Sequence, residues 1–267
     1  MNLTRIYAIF IRQIFLLKGN PVRLVAVFLW VILDIVLWGF ISKYLSTFGA
    51  ATFSFVSAVL GAIILWDFLG RIMQGVMMAF LEDIWTQNFI NFFTSPLQIK
   101  EYVAGLVATS LVTGIVGFLI MALLAGLGFG YNVFKMGLII LPFMLILFIF
   151  AVAMGIFMTA IILRFGPSAE WLGWPIPFAM SVFAGVFYPI STLPGALQII
   201  SKIIPASYVF ESLRGLSGTT LDSSLLTNLF VGLVLALFYL VIMYIFLVMI
   251  YRRNLKNGQL SRFSAEG

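Results

Sequence analysis

The chain has 267 residues, of which 63% are hydrophobic and only 9% charged, against about a quarter charged in an ordinary soluble domain. Apolar runs of ~18 residues or more, long enough to cross a bilayer core, recur along its whole length, so this is an integral membrane protein with no stretch left over for a soluble domain. With no Cys and no His, disulfides, thiol nucleophiles, His-based catalysis and the commonest zinc ligands are excluded, and the net charge of +6 is a topology signal, not a nucleic-acid one.

Residues 1–23 carry Arg5, Arg12, Lys18 and Arg23 and no acid, while Leu3, Ile6, Tyr7, Phe10, Ile14 and Leu17 recur at three- and four-residue intervals, the period of one helical face. This pattern predicts an amphipathic helix lying along the cytoplasmic leaflet. A secretory leader fits less well, because the basic region is long and no convincing small-residue cleavage site follows. Six spans are expected over 24–43, 54–80, 102–128, 136–163, 172–190 and 225–251. With both ends inside, the cytoplasmic segments hold Arg5, Arg12, Lys18, Arg23, Lys100, Arg164, Arg252, Arg253, Lys256 and Arg262, and the outer ones only Lys43, Lys135, Lys202 and Arg214. That asymmetry is the positive-inside signature. The tail RRNLKNGQLSRFSAEG reads as a basic anchor against anionic lipid.

Between spans two and three lies LEDIWTQNFINFFTSPLQIKEYVAG, Leu81 to Gly105. Read as a helix over 82–95, it places Trp85, Phe89, Phe92 and Phe93 on one face and Asp83, Gln87, Asn91 and Thr94 on the other, until Pro96 stops it. Surface helices that float on lipid usually display Lys and Arg on the polar face. None stands between Glu82 and Gln98, so the pattern suits a groove in a partner protein better. The expected docking residues are Glu82, Asp83, Trp85, Gln87, Phe89, Asn91 and Phe92.

Residues 191–216 are too apolar for an ordinary loop. Pro194 opens a run to Ile204 that reaches only ~16 Å as a helix, and Pro205 separates it from a second run, Ala206 to Leu216. A re-entrant hairpin of two half-helices is the simplest reading, tolerated at membrane depth only where protein or water satisfies its backbone. Glu211 and Arg214 share a helical face, either as a local ion pair or as part of a gate. Inside the spans stand Asp34, Asp67 and Arg71, expensive there and functional candidates by default. Asp34 and Arg71 are each ~15 Å deep, and Asp67 is one turn from Arg71, so Arg71 has an acid on either side and one acid is left over. They form either a structural polar clamp or a lining of a transport path or dimer seam. Pro175 and Pro177 should kink or tilt span five. Gly114, Gly117, Gly126, Gly128 and Gly130 suit close helix packing.

Two stretches carry a family resemblance. An acid followed by a short helix and TSPLQIKEYVAG comes first. GVFYPISTLPGALQIISKIIPASYVFESLRGL follows, with Tyr188-Pro189, Leu193-Pro194, Pro205 and a closing Glu211-x-x-Arg214. Together with a basic amphipathic start and six spans, this order resembles the ABC-2 family of export permeases over nearly the whole chain, 1–267, as a single transmembrane domain. The strip departs from the commonest family form at Trp85-Thr86-Gln87-Asn88. The resemblance implies that 82–95 is the coupling helix that inserts into an ATPase subunit and that Tyr188, Pro189, Pro194, Pro205, Glu211 and Arg214 belong to an outer cap over the export path. It also implies a second permease copy, identical or homologous, and a bacterial cytoplasmic membrane.

The expected fold is thus all-α: six transmembrane helices, an interfacial helix over 1–23, a coupling helix over 82–95 and an outer re-entrant hairpin over 191–216. No GxxxxGK[ST] loop occurs, so ATP and Mg would bind on the partner subunit and no cofactor on this chain. The expected function is ATP-driven export of a hydrophobic, amphipathic or lipid-linked substrate, the family's range being drugs, lipids and polysaccharides. An ion-coupled transporter would usually show an internal repeat and more charges along a path, and an intramembrane enzyme lacks its usual equipment. A non-transporting scaffold stays open.

Overall fold

In lipid an apolar segment satisfies its backbone most simply by coiling into a helix, and the structure is built that way. The computed structural model describes residues 1–47, 53–88, 91–92, 95–216 and 224–257. Among the described residues the bounded α-helices are α1 (Leu3–Gly19), α2 (Pro21–Thr47), α3 (Phe53–Trp85), α4 (Ile99–Phe129), α5 (Ile140–Phe165), α6 (Pro175–Phe183), α7 (Gly195–Ile203), α8 (Pro205–Leu216) and α9 (Leu225–Lys256). Short 3-10 segments cover Val133–Ile139, Pro167–Gly173 and Ile190–Thr192. Of the helices, five are long and apolar enough to cross a membrane: Phe28–Leu45 in α2, Ala58–Trp85 in α3, Ile99–Phe129, Val133–Phe165 and Leu225–Lys256.

The ends of these helices are written in the sequence. In α1, the Asn2 side chain accepts from the Thr4 N–H at 3.0 Å, satisfying an orphan donor of the first turn. α4 starts at a capping box in which the Glu101 carboxylate reaches back to the Gln98 N–H at 3.2 Å, and ends at Gly130, φ 69, where the backbone needs a residue without a Cβ. The face of α1 that packs on protein is Ile9, Gln13 and Leu17. Leu3 and Tyr7, expected on its apolar stripe, are exposed, which suits a helix whose apolar side rests on lipid.

The expected fifth span over 172–190 is not a long helix. α6 has nine residues, ~14 Å of rise, and follows the 3-10 segment Pro167–Gly173. Pro175 and Pro177 lack the N–H groups that would carry the α-helix back across residues 167–173, while Gly185, φ 64, turns the chain beyond α6. The two half-helices expected beyond it are present as α7 and α8, with Pro205 as the first residue of α8, where its missing N–H has no helical partner to lose.

Contacts between helices fix their relative directions. Phe150 packs on Tyr239 and Phe157 on Phe246, and Asn254 Nδ2 donates to the Leu163 carbonyl, so α5 and α9 run parallel. Gly61 lies by Met136 and Gly155 by Met73 and Val76, so α3 runs parallel to both. α4 is antiparallel to α3, Phe68 meeting Phe118 and Gly75 meeting Ser110. The C-terminal ends of α3, α5 and α9 therefore share one end of the bundle, here termed basal, and α1 lies there too, through Arg12 and Asp83. Parallel α5 and α9 require residues 166–224 to carry the chain back to the opposite, apical end.

Small residues let these helices meet closely. Gly114 faces Ile72 and Gly117 faces Arg71, where a Cβ would fall 2.8 Å from Ile72 Cγ1 and 2.6 Å from Arg71 Cδ. Gly128 has open space around it and Gly130 is the α4 cap, so neither packs helices as expected. At Gly155 a Cβ would stand 2.9 Å from Val76 Cβ and 3.0 Å from the Met73 carbonyl oxygen, and backbone yields less than a side-chain tip. Gly155→Leu should separate α3 from α5 at ~1–3 kcal/mol. The expected result is a lower thermal midpoint in detergent; an unchanged midpoint would contradict the contact.

Candidate functional site

The polar strip after α3 does not form one helix over 82–95. Glu82, Asp83 and Trp85 belong to the last turns of α3. The helix ends in a Schellman-type turn: the Asn88 N–H reaches the Asp83 carbonyl at 2.9 Å and the Gln87 N–H reaches that of Ile84 at 2.8 Å, with Gln87 in the left-handed region, φ 54. Helix resumes at Asn91 and Phe92. Phe89 lies outside the described residues.

This break divides the expected docking residues. Trp85 is 53% exposed, and Gln87 and Asn91 are exposed as well. Asp83 is 0% exposed and is not on a docking face. Its Oδ2 accepts from the Tyr102 hydroxyl at 2.7 Å and its Oδ1 from Arg12 Nη2. The Arg12 guanidinium lies 4.8 Å over the Phe92 ring, a cation–π contact, and Phe92 stands 5.5 Å from the Tyr102 ring. Four side chains thus join α1, α3, the strip and α4 in a basal clamp. A second tie runs alongside: Glu101 accepts from the Asn2 N–H at 2.7 Å and from Arg5 at 3.3 Å, while Arg5 also donates to the Pro96 carbonyl. Arg5, Arg12, Glu101 and Tyr102 were not expected at the site. Three basic residues on one helix look alike in sequence, and only the fold shows which ones find an acid.

The intramembrane charges separate as the spacing allows. Arg71 Nε donates to Asp67 Oδ2 at 2.8 Å and Nη2 to Oδ1 at 3.3 Å, a two-pronged i, i+4 pair. Asp34, on α2, is the acid left over: among the described residues it forms no salt bridge, with the Trp38 indole beside it and the Asp67–Arg71 pair within electrostatic range. All three line a cleft of about 570 Å³ bounded by α1, α2, α3, α4 and α6, a volume typical of small-molecule sites. Along α3 it runs from Asp67 to Trp85, ~27 Å at 1.5 Å per residue.

At the apical end Glu211 does more than pair with Arg214 across 2.9 Å. The same oxygen, Oε1, accepts from the Ile190 N–H at 2.8 Å, so α8 holds the turn that follows α6. The Tyr188 hydroxyl closes that turn onto the Val182 carbonyl at 2.8 Å, and Phe187 stacks on Trp38 of α2 at 4.8 Å. Pro189 precedes the 3-10 turn, Pro194 precedes α7 and Pro205 opens α8, so the three prolines punctuate this module at its joints.

A family model described as ABC-2 type transporter matches residues 4–217. The chain belongs to this family. It is a multi-pass membrane protein and a permease subunit of an ABC transporter, a transport component that is not itself catalytic, and the family implies an ABC ATPase as its partner. No curated protein sequence matches it. In this permease the matched region takes in the basal clamp, the cleft and the apical module, and stops just beyond α8.

Two outcomes follow from the pairing. Asp83→Ala leaves the Arg12 guanidinium and the Tyr102 hydroxyl facing an empty site, and should destabilise the fold by about 3 kcal/mol, as breaking a buried pair does; a melting midpoint equal to that of the parent chain would remove the clamp. Arg71→Leu should lower the midpoint as well, because it strands Asp67, and Arg71→Leu with Asp67→Leu should recover most of the loss. A double variant no better than the single one would show that the pair is not the unit.

Proposed function

We propose that this permease is the membrane half of an ATP-driven exporter of the bacterial cytoplasmic membrane, moving a hydrophobic, amphipathic or lipid-linked compound out of the cytoplasm. Two copies, or one with a homologous permease, enclose the path, and ATP with Mg binds on the ATPase subunits. The observation that carries the reading is the basal clamp. An exposed Trp85 sits two residues from a buried Asp83 tied to α1 and α4, so force applied at the strip is delivered to three helices rather than dissipated in a loop.

The basal end is the cytoplasmic one. It gathers α1, the strip and the last turn of α9 with Arg252, Arg253 and Lys256, the distribution that the positive-inside rule places inside. The 3-10 segment Pro167–Gly173 and α6 make the sixth pass in two pieces of ~14 Å each, returning the chain between parallel α5 and α9. α7 and α8 then form a re-entrant cap on the outer side, held to the α6 turn by Glu211. The ATPase subunits grip Trp85, Gln87, Phe89 and Asn91. Their closure moves α3 and α4 together through Asp83 and Tyr102, and the cleft that holds Asp34, Asp67 and Arg71 opens past the cap.

The docking half of this reading is tested by purification from native membranes in mild detergent. The ATPase subunit should accompany the permease in equal ratio and be lost with Trp85→Ala combined with Phe89→Ala, while membrane insertion is unaffected. Retention of the ATPase by the double variant would overturn the assignment of the strip.

A further inference from the structure

Asp34, Asp67 and Arg71 line the cleft together. Arg71 is committed to Asp67 by both prongs of its guanidinium. Among the described residues Asp34 forms no salt bridge, and the Trp38 indole is its hydrogen-bonding neighbour. A carboxylate without a salt bridge inside a span is costly, and a cation brought alongside lowers that cost, while an anion raises it. The walls suit a cation too. Trp30, Trp66, Trp85 and Trp174 line the cleft, four of the six tryptophans in the chain, and the face of an indole is the strongest aromatic partner for a positive charge.

A second observation points to a ligand independently. Gln13 of α1 lines the same cleft and is 0% exposed, yet among the described residues neither its amide nitrogen nor its amide oxygen has a hydrogen-bond partner. Buried amides are nearly always satisfied, so a polar group supplied from outside the chain is the natural complement. Leu33, Leu37, Met77 and Met78 give the cleft apolar lining, and Gln74, Thr109, Ser110 and Thr113 add uncharged polar groups to it.

From this arrangement we infer that the permease takes a lipophilic cation: an amphipathic compound with an ammonium-like or similarly delocalised positive group set against Asp34, and an apolar or aromatic body lying along α3 between the indoles. The inference rests on the proposal that the cleft is the inner part of the transport path, and it narrows the substrate by charge.

The test uses the full-length chain in neutral phosphatidylcholine nanodiscs, with tetraphenylphosphonium and tetraphenylborate as probes. The two ions share shape and greasiness and differ in the sign of the charge. Binding is read as saturable quenching of tryptophan fluorescence, since most of the indoles line the cleft. Tetraphenylphosphonium should bind at least ten-fold more tightly than tetraphenylborate, and Asp34→Asn should remove that preference while Asp34→Glu keeps it. If Asp34→Asn fails to fold, the parent chain and Asp34→Glu still decide the matter. Equal saturable binding of both ions would overturn the charge preference and leave the cleft as a binding site. No saturable quenching by either ion would overturn the inference together with the reading of the cleft as a path.

Discussion

The arrangement of the basal end of this permease depends on one buried carboxylate. Asp83 closes α3, and its two oxygens are claimed by groups from opposite directions, Arg12 from the surface helix and Tyr102 from the start of α4. An ionised acid without exposure persists only when such partners are present. Once they are, three helices and the strip that carries Phe92 are fixed relative to one another. The Glu101 tie adds the N-terminus of α1 and the Pro96 bend to the same unit. The stiffness of this end comes from charge-assisted bonds, not from helix length.

The upper half is organised by a similar economy. Parallel α5 and α9 oblige the chain to return between them, and the return is made with short pieces: a 3-10 segment, α6, a glycine turn, then α7 and α8. Each joint has a stated reason, a proline without an N–H or a glycine at positive φ. Glu211 then binds the pieces by accepting from both Ile190 and Arg214. Between the two ends lies the cleft, where Asp67 and Arg71 pair within α3 and Asp34 forms no salt bridge among the described residues.

Much of this is legible in the sequence, and the reasons for the rest are physical. The long apolar runs, the Pro205 division between α7 and α8, the Asp67–Arg71 spacing and the Glu211–Arg214 spacing are local properties, and local periodicity reports them. Asp83 was misplaced because a continuous helix over 82–95 puts it beside Gln87 and Asn91. The real helix ends in a turn with Gln87 at positive φ, a position where neither glycine nor proline stands to announce it. The partner that buries Asp83 is Arg12, 71 residues away in sequence, and no local pattern reports a contact of that range. The fifth span was drawn too long because hydropathy counts apolar residues and is blind to the two prolines that split it. Gln13 carries no local signal, because a single glutamine on a helix is an ordinary polar residue until the fold covers it.

The central claim is that the exposed end of α3 is the surface that meets the ATPase. The chain contains no cysteine, so a single introduced thiol is a clean reporter. Cysteine-directed cross-linking in native membranes, comparing Trp85→Cys with Phe178→Cys on exposed α6, tests it most directly. The account predicts an adduct of the combined mass of permease and ATPase from the first variant and none from the second. No adduct at position 85, with the ATPase present, or equal adducts from both positions, would contradict it.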